Sequence, residues 1–478
     1  VNQVSTRNSE TTGIKRQLYT ALADMTWRGR LFEEINAYPD TLVSTLTTRY
    51  RCCEYKEKAI LSERLRVAMG LAPGEVGSHA TLAEMAAIAL SKTPKSKHCT
   101  LEMIAAACDR CPFEKYIVTD VCRNCVAHHC RVTCPKDAIT IVNHRAYIDR
   151  TRCVECGLCE RNCPFRAIIQ VTRPCEQACA PKAIIRDNNN VAAIDCEKCV
   201  TCAACIPACP FGSVADYTQI VQVVHALKQA AAPIHALVAP SFVGQFGAKA
   251  SPAALRLALL ELGFTAVHEV ASAARGVAAE EASEVQGRME QGEQLTLSSC
   301  CPSFVAAVNT QYPDLVGCIS QVPSPMAYQA AAIKKGDNAG MTVFIGPCVS
   351  KKAEAASLPQ VDAVLTFEEL GCIFVSRGIN LATLSGAGEL GDAEALGRGF
   401  AKAGGLTKAV TAVLGEGVIQ TQVAHGLDEI NEVLSAAQRG QLQANFVEGM
   451  ACVGGCIGGH GALINRQVAE KLLERYLR

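Results

Sequence analysis

Residues 153–164 read Cys153-Val-Glu-Cys156-Gly-Leu-Cys159-Glu-Arg-Asn-Cys163-Pro164, and residues 199–210 read Cys199-Val-Thr-Cys202-Ala-Ala-Cys205-Ile-Pro-Ala-Cys209-Pro210. Both are Cys-x2-Cys-x2-Cys-x3-Cys-Pro, both follow an Ile-Asp step (Ile148-Asp149 and Ile194-Asp195), and Cys199 lies 46 residues after Cys153. Four thiolates at this spacing suit a soft iron–sulfur cubane: three from one run bind one cluster, and the fourth crosses to another. Zinc also takes Cys-x2-Cys pairs, but two complete runs ending in Cys-Pro point away from it.

This is the spacing of bacterial ferredoxins, and two degenerate copies flank it. Cys122-x2-Cys125-x4-Cys130-x3-Cys134-Pro135 widens one gap, and Cys175-x3-Cys179-x-Pro181 keeps two cysteines, with a Cys-x2-Cys upstream at Cys108 and Cys111. The sixteen cysteines suffice for four cubanes, with Cys196 left over where the first repeat has Arg150. The expected partition gives Cys153, Cys156 and Cys159 the crossing ligand Cys209, and gives Cys199, Cys202 and Cys205 the crossing ligand Cys163. Cys122, Cys125 and Cys130 borrow Cys179 or Cys163, depending on which repeats pair. The bland alternative makes Cys108, Cys111, Cys175 and Cys179 packed thiols and leaves three cubanes.

The chain has 478 residues and 27 cysteines, with 46 Lys plus Arg against 46 Asp plus Glu. Zero net charge weakens a nucleic-acid or membrane-surface binder, because both need a basic excess. The first thirty residues carry no apolar signal region, and no run of 18 apolar residues occurs. The expectation is a cytoplasmic protein whose thiols are metal ligands or catalysts rather than disulfides. Nine Lys or Arg stand against four Asp or Glu between residues 121 and 175. They compensate anionic cubanes, offer a docking face to an acidic carrier such as ferredoxin or flavodoxin, or do both.

Cysteine density divides the chain into a helical N-terminal segment (1–98), the cluster zone (99–218) and an α/β zone (219–478). Helical spacing of apolar residues marks Arg16–Met25 and Leu61–Leu71 in the first. Expected strands in the last are Ile234–Ala239, Ala266–Val270, Leu295–Leu297, Thr342–Ile345, Ala363–Thr366 and Asn445–Val447. Three loops after these strands carry cysteines: Ser298-Ser299-Cys300-Cys301-Pro302, Gly346-Pro347-Cys348-Val349-Ser350-Lys351-Lys352-Ala353-Glu354, and Glu448-Gly449-Met450-Ala451-Cys452-Val453-Gly454-Gly455-Cys456. Strand carboxyl ends are where such layers place cofactors, and one ligand from each of the first two loops plus two from the third make another cubane. Cys300 is then surplus, which suits a reactive thiol. Cys52 and Cys53 are adjacent and read as structural. Cys99, Cys318 and Cys372 have no partner in sequence and read as buried small apolar residues.

The three loops resemble the signatures of iron-only (FeFe) hydrogenases: Thr-Ser-Cys-Cys-Pro, Pro-Cys-x2-Lys-Lys-x-Glu and Glu-x-Met-Ala-Cys-x-Gly-Gly-Cys. The likeness runs through most of 99–478, and Arg51-Cys52-Cys53 with the degenerate clusters resembles the monomeric group B branch. The resemblance implies a two-lobed α/β domain around an H-cluster, a 4Fe–4S cubane joined to a di-iron unit with CO, cyanide and an azadithiolate. Cys301, Cys348, Cys452 and Cys456 would hold the cubane, Cys456 would bridge to the di-iron unit, and Cys300 would shuttle the proton. Lys351 would hydrogen-bond a cyanide, with Glu354 fixing it. Glu281 and Glu284 of the Glu-Glu-Ala-x-Glu helix, with Ser320 and Arg288, would form the proton exit. Maturation proteins would insert the di-iron unit.

Ser298, Phe304, Gly346, Met326 and His460 depart from the family's usual residues and leave the ligands intact. The leading reading is a reversible hydrogenase exchanging electrons through three to four accessory cubanes with ferredoxin or flavodoxin. An H2 sensor and a non-catalytic iron–sulfur electron-transfer or assembly protein compete with it. Retention of Cys300, Lys351 and both cysteines of the third loop argues against the scaffold.

Overall fold

The computed structural model describes residues 9–45, 50–77, 79–92, 99–109, 111, 115–187, 191–247, 249–336, 340–384, 386 and 388–477. Helices dominate the start: Glu10–Arg28, Leu31–Glu34, Tyr38–Thr45, Glu54–Ala68 and Leu82–Ser91. The first begins at Ser9, whose side chain accepts the Thr12 N–H, and it buries Ile14, Leu18, Leu22 and Met25 on one face. That face packs against helices Ile220–Gln229 and Phe367–Ser376. One continuous core therefore runs from Leu22 and Leu65 into Val238, Ile345 and Leu365 of the α/β zone.

Residues 115–170 form one ferredoxin-like unit. Strand Tyr116–Val118 pairs antiparallel with Ile168–Gln170, and Ile139–Val142 forms a hairpin with Arg145–Ile148. A second unit has the same plan: Leu101–Met103 pairs with Val214–Asp216, and Ile184–Arg186 with Ala192–Ile194. The first unit is thus inserted into the second, between Cys111 and Cys175. This explains why a Cys-x2-Cys stands so far upstream of its companions.

The α/β zone has two parallel sheets. The first runs Ala266–Glu269, Ile234–Val238, Met341–Gly346, Ala363–Thr366, and the second Thr296–Leu297, Phe446–Met450, Thr421–His425. The expected α+β and α/β organisation is observed. Two readings need correction. The strand expected to end at Val447 continues through Glu448, Gly449 and Met450, which lie inside the sheet rather than in a loop. Thr421–His425 was not expected, because it is an edge strand with only Ala424 buried and shows no apolar run.

Cys99 and Cys196, expected to be a packed thiol and a spare, form a disulfide. It joins the start of the 101–103 strand to the turn before Cys199. Among the described residues, no helix is long and apolar enough to cross a membrane.

Candidate cofactor and cluster sites

The cysteine runs share local turn geometry. Asn124, Glu155 and Thr201, each two residues after a run's first cysteine, have φ of 47°, 55° and 54°. Alternation through the left-handed region turns successive N–H groups toward one point, as anionic clusters need. The last cysteine of every set accepts an N–H from the residue four further on. Ala138 donates to Cys134, Ala167 to Cys163, Ala183 to Cys179 and Ser213 to Cys209, at 3.2–3.3 Å. The degenerate copies therefore keep the turn geometry of the complete runs.

Which cysteines neighbour one another corrects the expected partition. Burial pushes Cys159 up to about 11, with Cys153 and Cys134 adding repulsion. Burial also raises Cys130, with repulsion from Cys125, Cys163 and Cys122. Cys205 and Cys202 feel Cys199 and Cys179, while Cys175 feels Cys209, Cys111 and Cys108. Neighbouring thiols thus come together within each ferredoxin-like unit rather than between the two complete runs. Cys134 joins the run of Cys153, Cys163 the run of Cys122, and Cys179 the run of Cys199; Cys209 goes to Cys108, Cys111 and Cys175.

The larger site lies between the two α/β sheets. Cys301 opens helix Pro302–Gln311 after the 296–297 strand, Cys348 follows the 341–346 strand, and Cys452 and Cys456 follow the 446–450 strand. All four thiols are half-buried and mutually close: Cys452 is raised well up by burial and then by Cys348, Cys301 and Cys456. Burial pushes Cys348 to about 11 and Cys456 to about 12, Lys351 opposing both. Among the described residues, no three His, Cys, Asp or Glu side chains close around a point as a single metal ion would require. Four soft thiolate donors beside a buried cation instead fit an iron–sulfur cluster, whose irons would offset the repulsion among them.

Lys351 makes the pocket's cationic wall. Burial would lower it, but Glu354 and the charges of Cys348 and Cys300 outweigh that and raise it. Its Nζ donates to Glu354 Oε2 at 2.5 Å and to the Cys300 carbonyl at 3.2 Å, while Ser324 Oγ donates to Glu354 Oε1 at 2.5 Å. Cys300 is buried, and burial followed by the charges of Glu448, Cys301 and Glu281 drives its thiol well up, so it rests protonated.

Glu281 is fully buried on helix Ala274–Glu290, and neither carboxylate oxygen has a partner of hydrogen-bond geometry among the described residues. Burial raises it to about 7; Ser320 and Ser299 offset part of the rise, and Glu284 adds to it. Ser320 Oγ donates to Glu284 Oε2 at 2.9 Å, and Arg288 Nε donates to Glu284 Oε1 at 2.9 Å. Glu281 thus lies near Cys300 on one hand and near Ser320 and Glu284 on the other, with Arg288 on Glu284.

Glu281 carries a linkage consequence. Its folded value lies above its unfolded value of about 4.5, so the native state holds the extra proton between pH 4.5 and 7. Stability therefore falls as pH rises through that window, by on the order of 3 kcal/mol. The isosteric neutral variant E281Q should lose that pH slope, read as melting midpoint against pH; parallel profiles would show that the buried carboxylate finds a partner.

Two site residues escaped sequence reasoning. Glu448, fully buried, accepts from Gly404 N at 2.9 Å and from Thr407 N and Oγ1 at 2.7 Å, fixing the wall beside Cys300. Ser324 holds Glu354. Both stood beside quoted residues, at the head of the third loop and just before Pro325-Met326. Two of the departures are explained locally. A Cβ on Gly346 would lie 2.7 Å from the Phe344 ring, and Phe304 packs flat on Gly449, where a Cβ would meet it at 2.2 Å.

Nested ferredoxin-like units beside a two-sheet domain with a four-cysteine pocket define the class of iron–sulfur proteins. Residues 232–460 match the family described as iron only hydrogenase large subunit, C-terminal domain, and residues 146–169 match the 4Fe-4S binding domain. Over these residues the chain is similar to the C-terminal domain of the iron-only hydrogenase large subunit. The periplasmic Fe hydrogenase large subunit of Nitratidesulfovibrio vulgaris is 26% identical over 266 residues, 45% of this chain and 63% of that protein. The NADP-reducing hydrogenase subunit HndD of Solidesulfovibrio fructosivorans is 29% identical over 275 residues, 46% of each chain. The chain thus spans about half the length of the curated relatives it matches. A solved FeFe-hydrogenase variant from Chlamydomonas reinhardtii aligns over 54% of this chain and 88% of its own, at 23% identity and a TM-score of 0.46.

Proposed function

We propose that the protein is an FeFe-hydrogenase of the monomeric group B type, interconverting H2 with two protons and two electrons. The observation that carries this reading is the convergence of Cys301, Cys348, Cys452 and Cys456 beside Lys351, with Glu281 near Cys300 on one hand and near Ser320 and Glu284 on the other. Those four cysteines would hold the H-cluster cubane, with Cys456 bridging to a di-iron unit carrying CO, cyanide and azadithiolate. When bound, the di-iron unit supplies H2 heterolysis and the accessory cubanes supply electron transfer.

The chain's own residues handle protons and shape. Lys351, held by Glu354, presents a fixed cation that can donate a charge-assisted hydrogen bond in a dry pocket. Cys300, resting as a thiol, holds the proton at Sγ. Glu281 accepts it, because a carboxyl at about 7 gains and loses protons readily near neutral pH. Ser320 Oγ passes it to Glu284, and the Arg288 ion pair keeps Glu284 aimed.

Cys179, Cys199, Cys202 and Cys205 would hold the accessory cubane next to the pocket, since Cys202 neighbours Cys452 and Thr201 Oγ1 lies 2.8 Å from Ser350 Oγ. The unit 115–170 would hold two more. It exposes Val126 (98%) and Val132 (78%) in a stretch that also exposes Arg123, His129, Arg131 and Lys136. Exposed apolar residues in a basic stretch suit an acidic carrier such as ferredoxin or flavodoxin. A cytoplasmic location is part of the proposal, because cluster binding requires these thiols reduced.

The test is an infrared spectrum and an H2 assay on protein produced anaerobically with and without FeFe-hydrogenase maturation proteins. Metal-bound CO and cyanide bands with H2 turnover are expected only after maturation. Absence of both, with cubane iron intact, would overturn the reading in favour of an electron-transfer or assembly role; bands without turnover would favour a sensor.

A further inference from the structure

Two features stand outside the matched family regions: the Arg51-Cys52-Cys53 segment, and the scattered cysteines Cys108, Cys111 and Cys175. The fold brings them together. In the inserted unit, Cys122, Cys125 and Cys130 meet Cys163, which follows from the second run of the same unit. The corresponding position of the outer unit is filled by Cys108, Cys111, Cys175 and Cys209: Cys111 feels Cys108 and Cys209, and Cys175 feels all three others. Cys209 follows helix Cys205–Ala208 directly, so this set adjoins that of Cys199, Cys202 and Cys205.

The N-terminal segment grips both halves of this set. Arg51 Nη2 donates to the Ala107 carbonyl at 3.1 Å, its Nη1 lies 3.3 Å from Asp109 Oδ1, and its guanidinium sits over the Phe211 ring at 5.5 Å. Arg64, from helix Glu54–Ala68, donates to the Phe211 carbonyl at 2.9 Å and the Gly212 carbonyl at 3.3 Å. These carbonyls belong to the turn that delivers Cys209.

The four cysteine turns differ at the position that Arg64 approaches. Asp137, Arg166, Lys182 and Gly212 each lie three residues after the last cysteine of a set, with φ of 45°, 49°, 55° and 59°. Three of the four are not glycine, so the left-handed backbone alone does not demand one. Only at Gly212 does another group intrude: a Cβ there would lie 2.7 Å from Arg64 Nη2. Among the described residues, no carboxylate forms an ion pair with Arg64. Burial, then the neighbouring Arg51, lowers it to about 10, with Glu57 and Cys209 opposing, so it stays cationic near neutral pH. A half-buried cation without a carboxylate ion-pair partner, set against a cysteine turn, is placed to balance an anion there.

We propose that Cys108, Cys111, Cys175 and Cys209 hold a fourth accessory 4Fe–4S cluster, and that Arg64, with Arg51, closes the site and supplies its counter-charge. A cubane on four thiolates is anionic, and one-electron reduction adds a further negative charge without breaking a bond. The fixed cation favours the reduced form, so Arg64 is a positioning residue that raises this cluster's potential. The proposal is independent of hydrogen chemistry and is tested on the full chain made without maturation proteins.

Anaerobic alkylation of the iron-loaded chain with N-ethylmaleimide should label exposed Cys52 and leave Cys108 and Cys111 protected until the iron is stripped. C108A/C111A should carry about four irons fewer per chain than the wild type. In an EPR-monitored redox titration, R64M should move one signal to lower potential, while R64K should leave it near the wild-type value. Cys108 and Cys111 labelled in the iron-loaded wild type, or unchanged iron in the double variant, would overturn the site. A potential indifferent to R64M would overturn the counter-charge. Alkylation of the wild type decides the site even if the cysteine variant does not fold.

Discussion

Replacing Cys300 by Ala should cut H2 turnover in the matured protein by ~10²–10⁴-fold, the usual contribution of a positioned proton donor, while leaving iron and metal-bound CO bands unchanged. Cys300 neighbours Cys301 on one side and Glu281 on the other, and burial keeps its thiol protonated. Cys301, Cys348, Cys452 and Cys456 already complete a four-thiolate set, so deleting Cys300 removes no cubane ligand. Ala leaves Glu281 as the nearest titratable group inward of Ser320, with a missing member between it and the pocket. C300S separates this role from packing. Serine keeps the size, but its hydroxyl holds its proton far more tightly than a thiol, so turnover should stay low. Near wild-type turnover in C300S would remove the thiol from the proton line and leave it a packed residue.

Legibility followed the range of the interactions. The ligand spacings, the strand-end loops and the Glu-Glu-Ala-Ser-Glu helix are local patterns, and each was readable because a turn or helix fixes its geometry within a few residues. The partition of the accessory cysteines was not readable, because it depends on which hairpins pair. Cys111 and Cys175 are companions separated by a complete unit, and nothing in either sequence neighbourhood announces the insertion. The Cys99–Cys196 disulfide was hidden for the same reason: its ends meet only once the 101–103 strand lies beside the 192–194 strand. Glu448 was overlooked because it opens a cysteine motif whose thiols drew attention, and its task, fixing Gly404 and Thr407, involves residues over forty positions upstream. The edge strand Thr421–His425 lacked a pattern because only Ala424 in it is buried.

The corrected partition makes a large and discriminating difference between two crossing ligands. Replacing Cys179 by Ala should nearly abolish carrier-driven H2 turnover, and EPR of the reduced protein should lose or convert the signal of the cluster held with Cys199, Cys202 and Cys205. Cys179 lies close to all three of these thiols, and its Sγ accepts the Ala183 N–H at 3.2 Å, the same support that Cys209, Cys163 and Cys134 receive. Cys202 in turn neighbours Cys452, so a cluster held here would be the last step before the pocket. The partition read from spacing alone would instead make Cys163 the partner of that run, and C163A the variant that severs this step. In the structure Cys163 lies with Cys122, Cys125 and Cys130 in the inserted unit, so C163A should alter a different signal and leave the one beside the pocket intact. A small reductant able to reach the pocket directly should restore part of the turnover of C179A, because Cys300, Glu281 and Lys351 are untouched. If C163A rather than C179A removed the pocket-side signal, the two ferredoxin-like units would exchange ligands after all, and the nested arrangement would not describe how the clusters are held.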